Sequence, residues 1–126
     1  MKPRIGVIGV GLMGHGIARN ILKHGYALTV MEHPGNRPLD ELLSLGATTR
    51  GSAEEVARDC EAIILCVTGS PQVLAIVNGP DGLAAAGREL VIVDCSTSDP
   101  SVTTSLAAEL APKGITLVDA PLGRTP

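Results

Sequence analysis

Residues 5–14 read IGVIGVGLMG, a short apolar run followed by three spaced glycines. The run predicts a β-strand over Arg4–Ile8, and the glycines form a G-x-G-x-x-G pattern that opens a predicted helix. In that setting Gly9 permits a tight turn, Gly11 lets the backbone approach a pyrophosphate, and Gly14 allows the helix to pack closely on the strand. The unpaired amides at the helix N-terminus would face the anion. The stretch therefore predicts a strand–turn–helix unit that binds a dinucleotide.

The rest of the chain alternates short, β-rich apolar runs with longer amphipathic stretches, which is typical of βαβ units around a parallel sheet. The pattern predicts six strands, over Arg4–Ile8, Ala27–Glu32, Ala47–Thr49, Ala62–Val67, Leu90–Asp94 and Ile115–Asp119. It predicts helices over Leu12–His24, about 39–45, 53–59 and 70–77, and a last one that opens with Pro100 and ends before Gly114. The predicted N-caps are Ser52, Ser70 and either Ser98 or Asp99. We expect one dinucleotide-binding domain over residues 1–126 with an α/β fold, a Rossmann-type, doubly wound, mainly parallel six-stranded sheet with helices on both faces.

The composition indicates a globular chain without a broad basic surface. Of 126 residues, 44% are hydrophobic and 18% are charged, and the net charge of -3 argues against a nucleic-acid partner. No apolar run reaches the roughly 18–20 residues that span a bilayer, so no membrane role is expected. The three cysteines form no CxxC pair and no secretory leader precedes Ile5, which predicts reduced thiols, no metal site and a cytoplasmic location. The sequence also contains no nucleoside triphosphatase P-loop and no G-x-S-x-G nucleophile elbow.

Glu32 closes the second predicted strand, eighteen residues after Gly14. An acidic side chain at that place can accept hydrogen bonds from both ribose hydroxyls of an adenosine, which favours NAD. Arg37 and Arg50 leave the alternative open, because a guanidinium there could meet the 2′-phosphate of NADP.

Three segments spread along the chain carry a family resemblance. The first is IGVIGVGLMG at residues 5–14, the second is DCSTSDP at 94–100, and the third is DAPLG at 119–123. In this order they resemble the opening glycine turn, the D-x-S-T-x-x-P segment and the start of the D-A-P-V-S-G-G motif of the β-hydroxyacid dehydrogenases. That superfamily includes 3-hydroxyisobutyrate and 6-phosphogluconate dehydrogenases, and the resemblance is to its N-terminal NAD(P)-binding domain.

The resemblance implies an oxidoreductase that transfers a hydride between a nicotinamide cofactor, NAD or NADP, and a small 3-hydroxy acid or its semialdehyde. It implies that Thr97 lies near the nicotinamide and that Val67 and Thr68 run along the cofactor. The expected cofactor-binding residues are Gly9, Gly11, Leu12, Met13, Gly14, Glu32, Val67, Thr68 and Thr97. The expected substrate-binding residues are Ser96, Leu122, Gly123 and Arg124. Alternatively, the hydroxyls of Ser96 and Thr97 could simply cap the next helix.

The last segment departs from the family pattern, because Gly123-Arg124-Thr125 stands where Ser-Gly-Gly is usual. A hydroxyl is lost and a guanidinium is gained, which leaves the identity of the substrate open. Arg124 could bind a substrate carboxylate through paired hydrogen bonds, or it could be an ordinary exposed arginine.

The family's catalytic lysine belongs to an all-α second domain, which we expect to lie outside this chain and to mediate a homo-oligomer. No residue of this chain is assigned as catalytic. His15, beside the glycine turn, could contact the cofactor or lie on the helix surface. We also expect an exposed apolar surface around the sixth strand, where the family's helix to the second domain packs. Two alternatives stay open: an NADP-dependent imine reductase and a non-catalytic nucleotide-sensing module.

Overall fold

The computed structural model describes residues 3–32, 39–67, 69–96 and 99–120. The strands are β1 (Ile5–Ile8), β2 (Leu28–Met31), β3 (Thr48–Arg50), β4 (Ala62–Leu65), β5 (Leu90–Asp94) and β6 (Ile115–Asp119). The helices are α1 (Leu12–Lys23), α2 (Asp40–Ser44), α3 (Ala53–Asp59), α4 (Ser70–Asn78) and α5 (Pro100–Leu110), with 3₁₀ turns at Leu83–Ala86 and Ala111–Lys113. All six predicted strands and five predicted helices are confirmed, with ends that shift by one or two residues. The two 3₁₀ turns were not predicted.

The six strands form one sheet in the order β3-β2-β1-β4-β5-β6, and every described pairing is parallel. The predicted Rossmann-type sheet is therefore confirmed. Successive strands run outward in one direction from β1 to β3 and in the other direction from β4 to β6. This reversal places a crevice between the carboxyl ends of β1 and β4, which is where open α/β sheets bind ligands.

Two apolar clusters cover the two faces of the sheet. One joins α1 and α2 to β1 and β2 through buried residues that include Ala18, Leu42 and Val30. The other joins α3, α4 and α5 to β1, β4, β5 and β6 through a larger set that includes Val56, Val77 and Leu106. Helices on both faces make the sheet doubly wound, as predicted.

An apolar strip of the sheet is exposed on the side of α1 and α2. Val91 of β5 is 41% exposed and Val118 of β6 is 43% exposed, while their neighbour Ile92 is fully buried on the opposite face. Within the described residues, α4 and α5 both pack on the α3 side, so no helix covers β5 and β6 on the other side. This is the exposed apolar surface that was expected around the sixth strand.

Two of the three predicted helix N-caps are confirmed. The Ser52 hydroxyl accepts a hydrogen bond from the Glu55 amide at 3.2 Å, and the Asp99 carboxylate accepts one from the Ser101 amide at 2.8 Å. Hydrogen bonds from Ser101 also lower the pKa of the Asp99 carboxyl. The prediction for Ser70 was wrong.

Ser70 is the first helical residue of α4, and Gly69 occupies the N-cap position. A proline is tolerated anywhere in the first helical turn, because the amide it lacks would have no helical partner there. The helix can therefore begin one residue earlier than the Ser-Pro pair suggested. The Ser70 hydroxyl instead accepts a hydrogen bond from the Asp99 amide at 2.8 Å, which links the starts of α4 and α5.

Candidate functional site

In the glycine turn between β1 and α1, two of the three glycines lie directly against backbone atoms of neighbouring residues. Gly9 has φ +95°, and a Cβ placed on it would lie 2.2 Å from the Cys66 carbonyl oxygen. A Cβ on Gly14 would lie 2.1 Å from the Gly9 carbonyl oxygen. Both positions therefore require glycine, since the atoms in the way belong to the backbone and cannot rotate aside. The first position places the turn against the residue that follows β4, and the second places α1 against the turn.

Gly11 differs from its two neighbours in the motif. No atom of the described residues lies within 4 Å of a Cβ placed on Gly11, so the interior of the fold does not require glycine there. Gly11 is the N-cap of α1, and it makes no side-chain cap hydrogen bond. The first turn of α1 also contains no acidic residue. The helix thus presents uncapped amides beside an open approach, which fits the pyrophosphate of a dinucleotide.

Ser96 links the carboxyl ends of β4 and β5 through hydrogen bonds. The side chain is 3% exposed, and its hydroxyl accepts a hydrogen bond from the Val67 amide at 2.9 Å and donates to the Leu65 carbonyl at 3.4 Å. The Ser96 amide donates to the buried Asp94 carboxylate at 2.8 Å. The hydroxyl is occupied within the fold and does not cap α5. Its observed effect is to hold Val67 at the crevice.

Glu32 directly follows β2 and is exposed at the carboxyl edge of the sheet. Its amide donates to the Arg50 carbonyl at 2.8 Å, so the backbone at the end of β2 is tied to β3. The Arg50 guanidinium is held by other groups of the chain and does not serve as a free cation beside Glu32. Its Nε forms a 2.7 Å ion pair with Asp59, without the angle of a hydrogen bond, and its Nη1 donates to the Thr49 carbonyl at 2.8 Å.

The cysteines Cys66 and Cys95 lie side by side at the same edge, a contact that the sequence analysis missed. Their side chains are within hydrogen-bonding reach of each other. Burial raises the pKa of Cys66 to about 12, with the Cys95 thiol as the next cause, and burial likewise raises the pKa of Cys95. The signal was present in the sequence, because each cysteine follows one of two strands that a Rossmann sheet makes neighbours.

The structure describes some of the other predicted site residues, at the start of α1, and not the rest. Met13 is 55% exposed in the first turn of α1, and the backbone of Leu12 begins that helix. His15 lies 3.6 Å from Glu41 of α2, which favours the helix-surface interpretation. Several predicted residues lie outside the described ranges: Arg37, Thr68, Thr97, Leu122, Gly123 and Arg124.

A groove of about 890 Å³ lies at the opposite, amino edge of the sheet. Its walls include Glu61, Arg88 and Thr116, at the starts of β4, β5 and β6. None of the residues that line the groove belongs to the glycine turn or to the first turn of an α-helix. The groove therefore does not offer an anion the amides of a helix N-terminus, which the carboxyl edge does.

The described part of the chain contains no cluster of three or more His, Cys, Asp and Glu side chains arranged to hold a metal ion. Every helix described is too short or too polar to cross a membrane.

Comparison with known proteins points to the same cofactor. The family of the NAD binding domain of 6-phosphogluconate dehydrogenase matches residues 4–125. Mouse mitochondrial 3-hydroxyisobutyrate dehydrogenase is 33% identical over 122 residues, which are 96% of this chain and 36% of that protein. The 2-(hydroxymethyl)glutarate dehydrogenase of Eubacterium barkeri is 37% identical over 123 residues, with 94% of this chain and 40% of that protein covered. The chain thus spans well under half the length of these relatives.

Among solved structures, a variant of the imine reductase from Myxococcus stipitatus in complex with NAD+ superposes with a TM-score of 0.87. The match covers 99% of this chain and 42% of that one. At 22% sequence identity this likeness shows the fold alone.

Proposed function

The chain belongs to the family of the NAD binding domain of 6-phosphogluconate dehydrogenase, and from this premise we propose that it holds NAD for hydride exchange with a small 3-hydroxy acid or its semialdehyde. The proposal rests on the amides at the start of α1, which no described side chain caps. The space that a Cβ of Gly11 would occupy is empty among the described residues, so a ligand can approach these amides. They lie at the crevice where the strand order reverses, so a pyrophosphate bound there would direct the nicotinamide toward the ends of β4 and β5.

The chain's own residues would bind and orient. Bound NAD would supply the hydride chemistry. The turn of Gly9, Gly11 and Gly14 would hold the pyrophosphate, with Leu12 and Met13 at the start of the same helix. Val67, with Thr68 and Thr97, would line the nicotinamide end, and Ser96 supports this role by fixing the Val67 amide at 2.9 Å. We assign Ser96 as a positioning residue, and leave contact with the substrate to Leu122, Gly123 and Arg124.

The proton of the substrate hydroxyl needs a separate general acid or base. We propose that this group comes from a second, all-α domain outside the 126 residues, as the family resemblance implies. The same domain would complete the substrate site and join two or more copies of the protein. Such a division of labour leaves binding and orientation to this chain.

We expect the 126-residue chain to bind NAD+ without producing NADH from 3-hydroxy acids, because it would hold the cofactor but not the proton-transferring group. The measurement is absorbance at the NADH band with a panel of 3-hydroxy acids, after 1:1 binding of NAD+ has been established. A protein-free solution of NAD+ and substrate is the control. Turnover well above that control would show that the general acid or base lies within this chain.

We expect the chain to bind NAD+ more tightly than NADP+, and we expect Glu32→Ser to reduce the ratio of the two affinities by about tenfold or more. A carboxylate gains charge-assisted hydrogen bonds from a ribose diol, each worth about 1.5–3 kcal/mol, but repels a 2′-phosphate. The Asp59 ion pair supports this preference, because it occupies the Arg50 guanidinium that could otherwise meet the phosphate. Calorimetric titration of wild type and Glu32→Ser with both cofactors measures the change.

Glu61→Ser is the matched control, since it removes the same charge from an exposed glutamate at the amino edge of the sheet. It should leave the ratio of the two affinities unchanged. Tighter binding of NADP+ to the unmodified chain would overturn the assignment of Glu32, and so would a ratio that Glu32→Ser leaves unaltered.

A further inference from the structure

Cys66 and Cys95 are aligned across neighbouring parallel strands. Leu65, the last residue of β4, is the register partner of Asp94, the last residue of β5, and a cysteine directly follows each of them. The Cys95 amide donates to the Leu65 carbonyl at 2.8 Å, which carries the strand pairing up to the two cysteines. Neighbouring strands lie about 4.8 Å apart, within the Cα separation of roughly 4.4–6.8 Å that a disulfide spans.

Both cysteines are partly exposed and neither is bridged. Cys66 and Cys95 are free thiols of intermediate exposure, whereas Cys60 is free and fully buried. Burial raises the pKa of both thiols, and the contact between them raises the pKa of Cys66 and lowers that of Cys95. The contact thus favours the thiolate at Cys95 over the thiolate at Cys66.

We propose that Cys66 and Cys95 are a redox-active dithiol whose closure to a disulfide weakens dinucleotide binding at the glycine turn. The pair is thus a modification site beside the cofactor site. The coupling to the cofactor rests on dinucleotide binding at that turn, whereas the disulfide itself does not.

The oxidant is a peroxide, and hydrogen peroxide balances the reaction. The Cys95 sulfur attacks one peroxide oxygen, so that an S–O bond forms, the O–O bond breaks, and a sulfenic acid and one water result. The Cys66 sulfur then attacks the Cys95 sulfur, the S–S bond forms, the S–O bond breaks, and the departing oxygen leaves with the Cys66 proton as a second water. Two electrons pass from the two sulfurs to the two peroxide oxygens.

The surroundings of the pair make this oxidation slow at neutral pH. Burial raises the pKa of both thiols. The Asp94 carboxylate acts in the same direction on both, and the Asp119 carboxylate does so on Cys95. The thiolate is the nucleophile, so the rate of disulfide formation should rise with each step of pH above neutrality. The pair is therefore suited to respond to sustained oxidant rather than to traces of it.

The glycine turn rests directly on Cys66, which gives the disulfide its effect on the cofactor. A Cβ placed on Gly9 would lie 2.2 Å from the Cys66 carbonyl oxygen, and a Cβ placed on Gly14 would lie 3.6 Å from the Cys66 Cβ. Closing the S–S bond draws the Cys66 and Cys95 side chains together, and any displacement of Cys66 that accompanies it passes to the turn through these contacts.

We expect the oxidised chain to bind NAD+ about tenfold more weakly, a coupling of ordinary size between two sites. Reciprocity then requires NAD+ to oppose disulfide formation by the same factor, about 30 mV in the midpoint potential of the pair. The test treats the chain with hydrogen peroxide at pH 8.5, with and without NAD+. It follows the loss of two hydrogens by intact mass and the affinity for NAD+ by calorimetry, before and after dithiothreitol.

Locating the bridge needs one additional variant. Trypsin leaves Cys60 and Cys66 together on the peptide 59–88 and Cys95 on the peptide 89–113, so the linked peptides alone do not identify the partner of Cys95. Cys60→Ala resolves this and should still form the bridge. Cys95→Ser should form none, and its affinity for NAD+ should not respond to peroxide.

Each part of the proposal has its own contradicting result. A disulfide that disappears in Cys60→Ala, a bridge between two chains, or overoxidised sulfur without a bridge would overturn the dithiol. A Cys66–Cys95 disulfide with unchanged affinity would overturn the coupling. A reduced chain that fails to bind NAD+ would also overturn the coupling, together with the cofactor site, while the intact mass still decides the disulfide.

Discussion

Replacing Gly14 with alanine is expected to lower the midpoint of thermal unfolding by about 10 °C or more. The added methyl carbon would lie 2.1 Å from the Gly9 carbonyl oxygen, and Gly9 is itself held against the Cys66 carbonyl. Neither backbone group can rotate away, so relief requires α1 to move off β1. Overpacking of this kind costs about 3 kcal/mol, and more where the neighbours are rigid.

Gly16→Ala is the matched control for Gly14→Ala. Gly16 lies two residues further along α1, and within the described residues no atom lies within 4 Å of a Cβ placed on it. Alanine there should stabilise the protein by about 0.5–1 kcal/mol, since glycine is a poor helix former. Thermal unfolding followed by circular dichroism measures both variants. Equal midpoints for Gly14→Ala and wild type would show that α1 does not pack on the turn as described.

Replacing Gly11 with alanine is expected to weaken NAD+ binding by about a hundredfold while leaving the fold intact. The Cβ direction of Gly11 is open among the described residues, so the methyl group meets nothing in the folded chain. It would occupy the path by which a pyrophosphate reaches the amides of α1, and a displacement of about 1 Å has an effect of this size on a preorganised site.

The same Gly16→Ala variant serves as the control for Gly11→Ala in calorimetric titrations with NAD+. Both substitutions add one methyl group to an open position of the same segment, but only Gly11 lies at the start of the helix. Gly16→Ala should therefore bind NAD+ like the wild type. Undiminished affinity in Gly11→Ala, at an unchanged unfolding midpoint, would remove the pyrophosphate from this turn.

The fold could be predicted from the sequence because its signals are local. The run from Ile5 to Gly14 defines one strand, one turn and one helix start, and alternating apolar runs locate the other strands. The 3₁₀ turn at Leu83–Ala86 was missed because a four-residue, alanine-rich segment has no period to read. Leu83 is fully buried in the larger cluster, so packing rather than local preference determines this turn.

The site was predictable only in part, because several of its contacts join residues far apart in the chain. The bond from the Val67 amide to the Ser96 hydroxyl spans 29 positions, and so does the bond from the Asp99 amide to Ser70. Spacing shows that such residues share an edge, but not which hydroxyl binds which amide. The ion pair of Arg50 with Asp59 joins residues closer in the chain, but residue spacing does not show where the flexible Arg50 side chain is held.

A titration of the ¹⁵N-labelled chain with NAD+, followed through the backbone amide chemical shifts, locates the dinucleotide site most directly. We expect the largest shifts at the carboxyl edge of the sheet, in the amides of residues 9–14, Glu32 and Val67. The amides of Glu61, Arg88 and Thr116, which line the groove at the amino edge, should stay unchanged. Shifts concentrated in that groove, or no shifts at saturating NAD+, would contradict a dinucleotide site at the glycine turn.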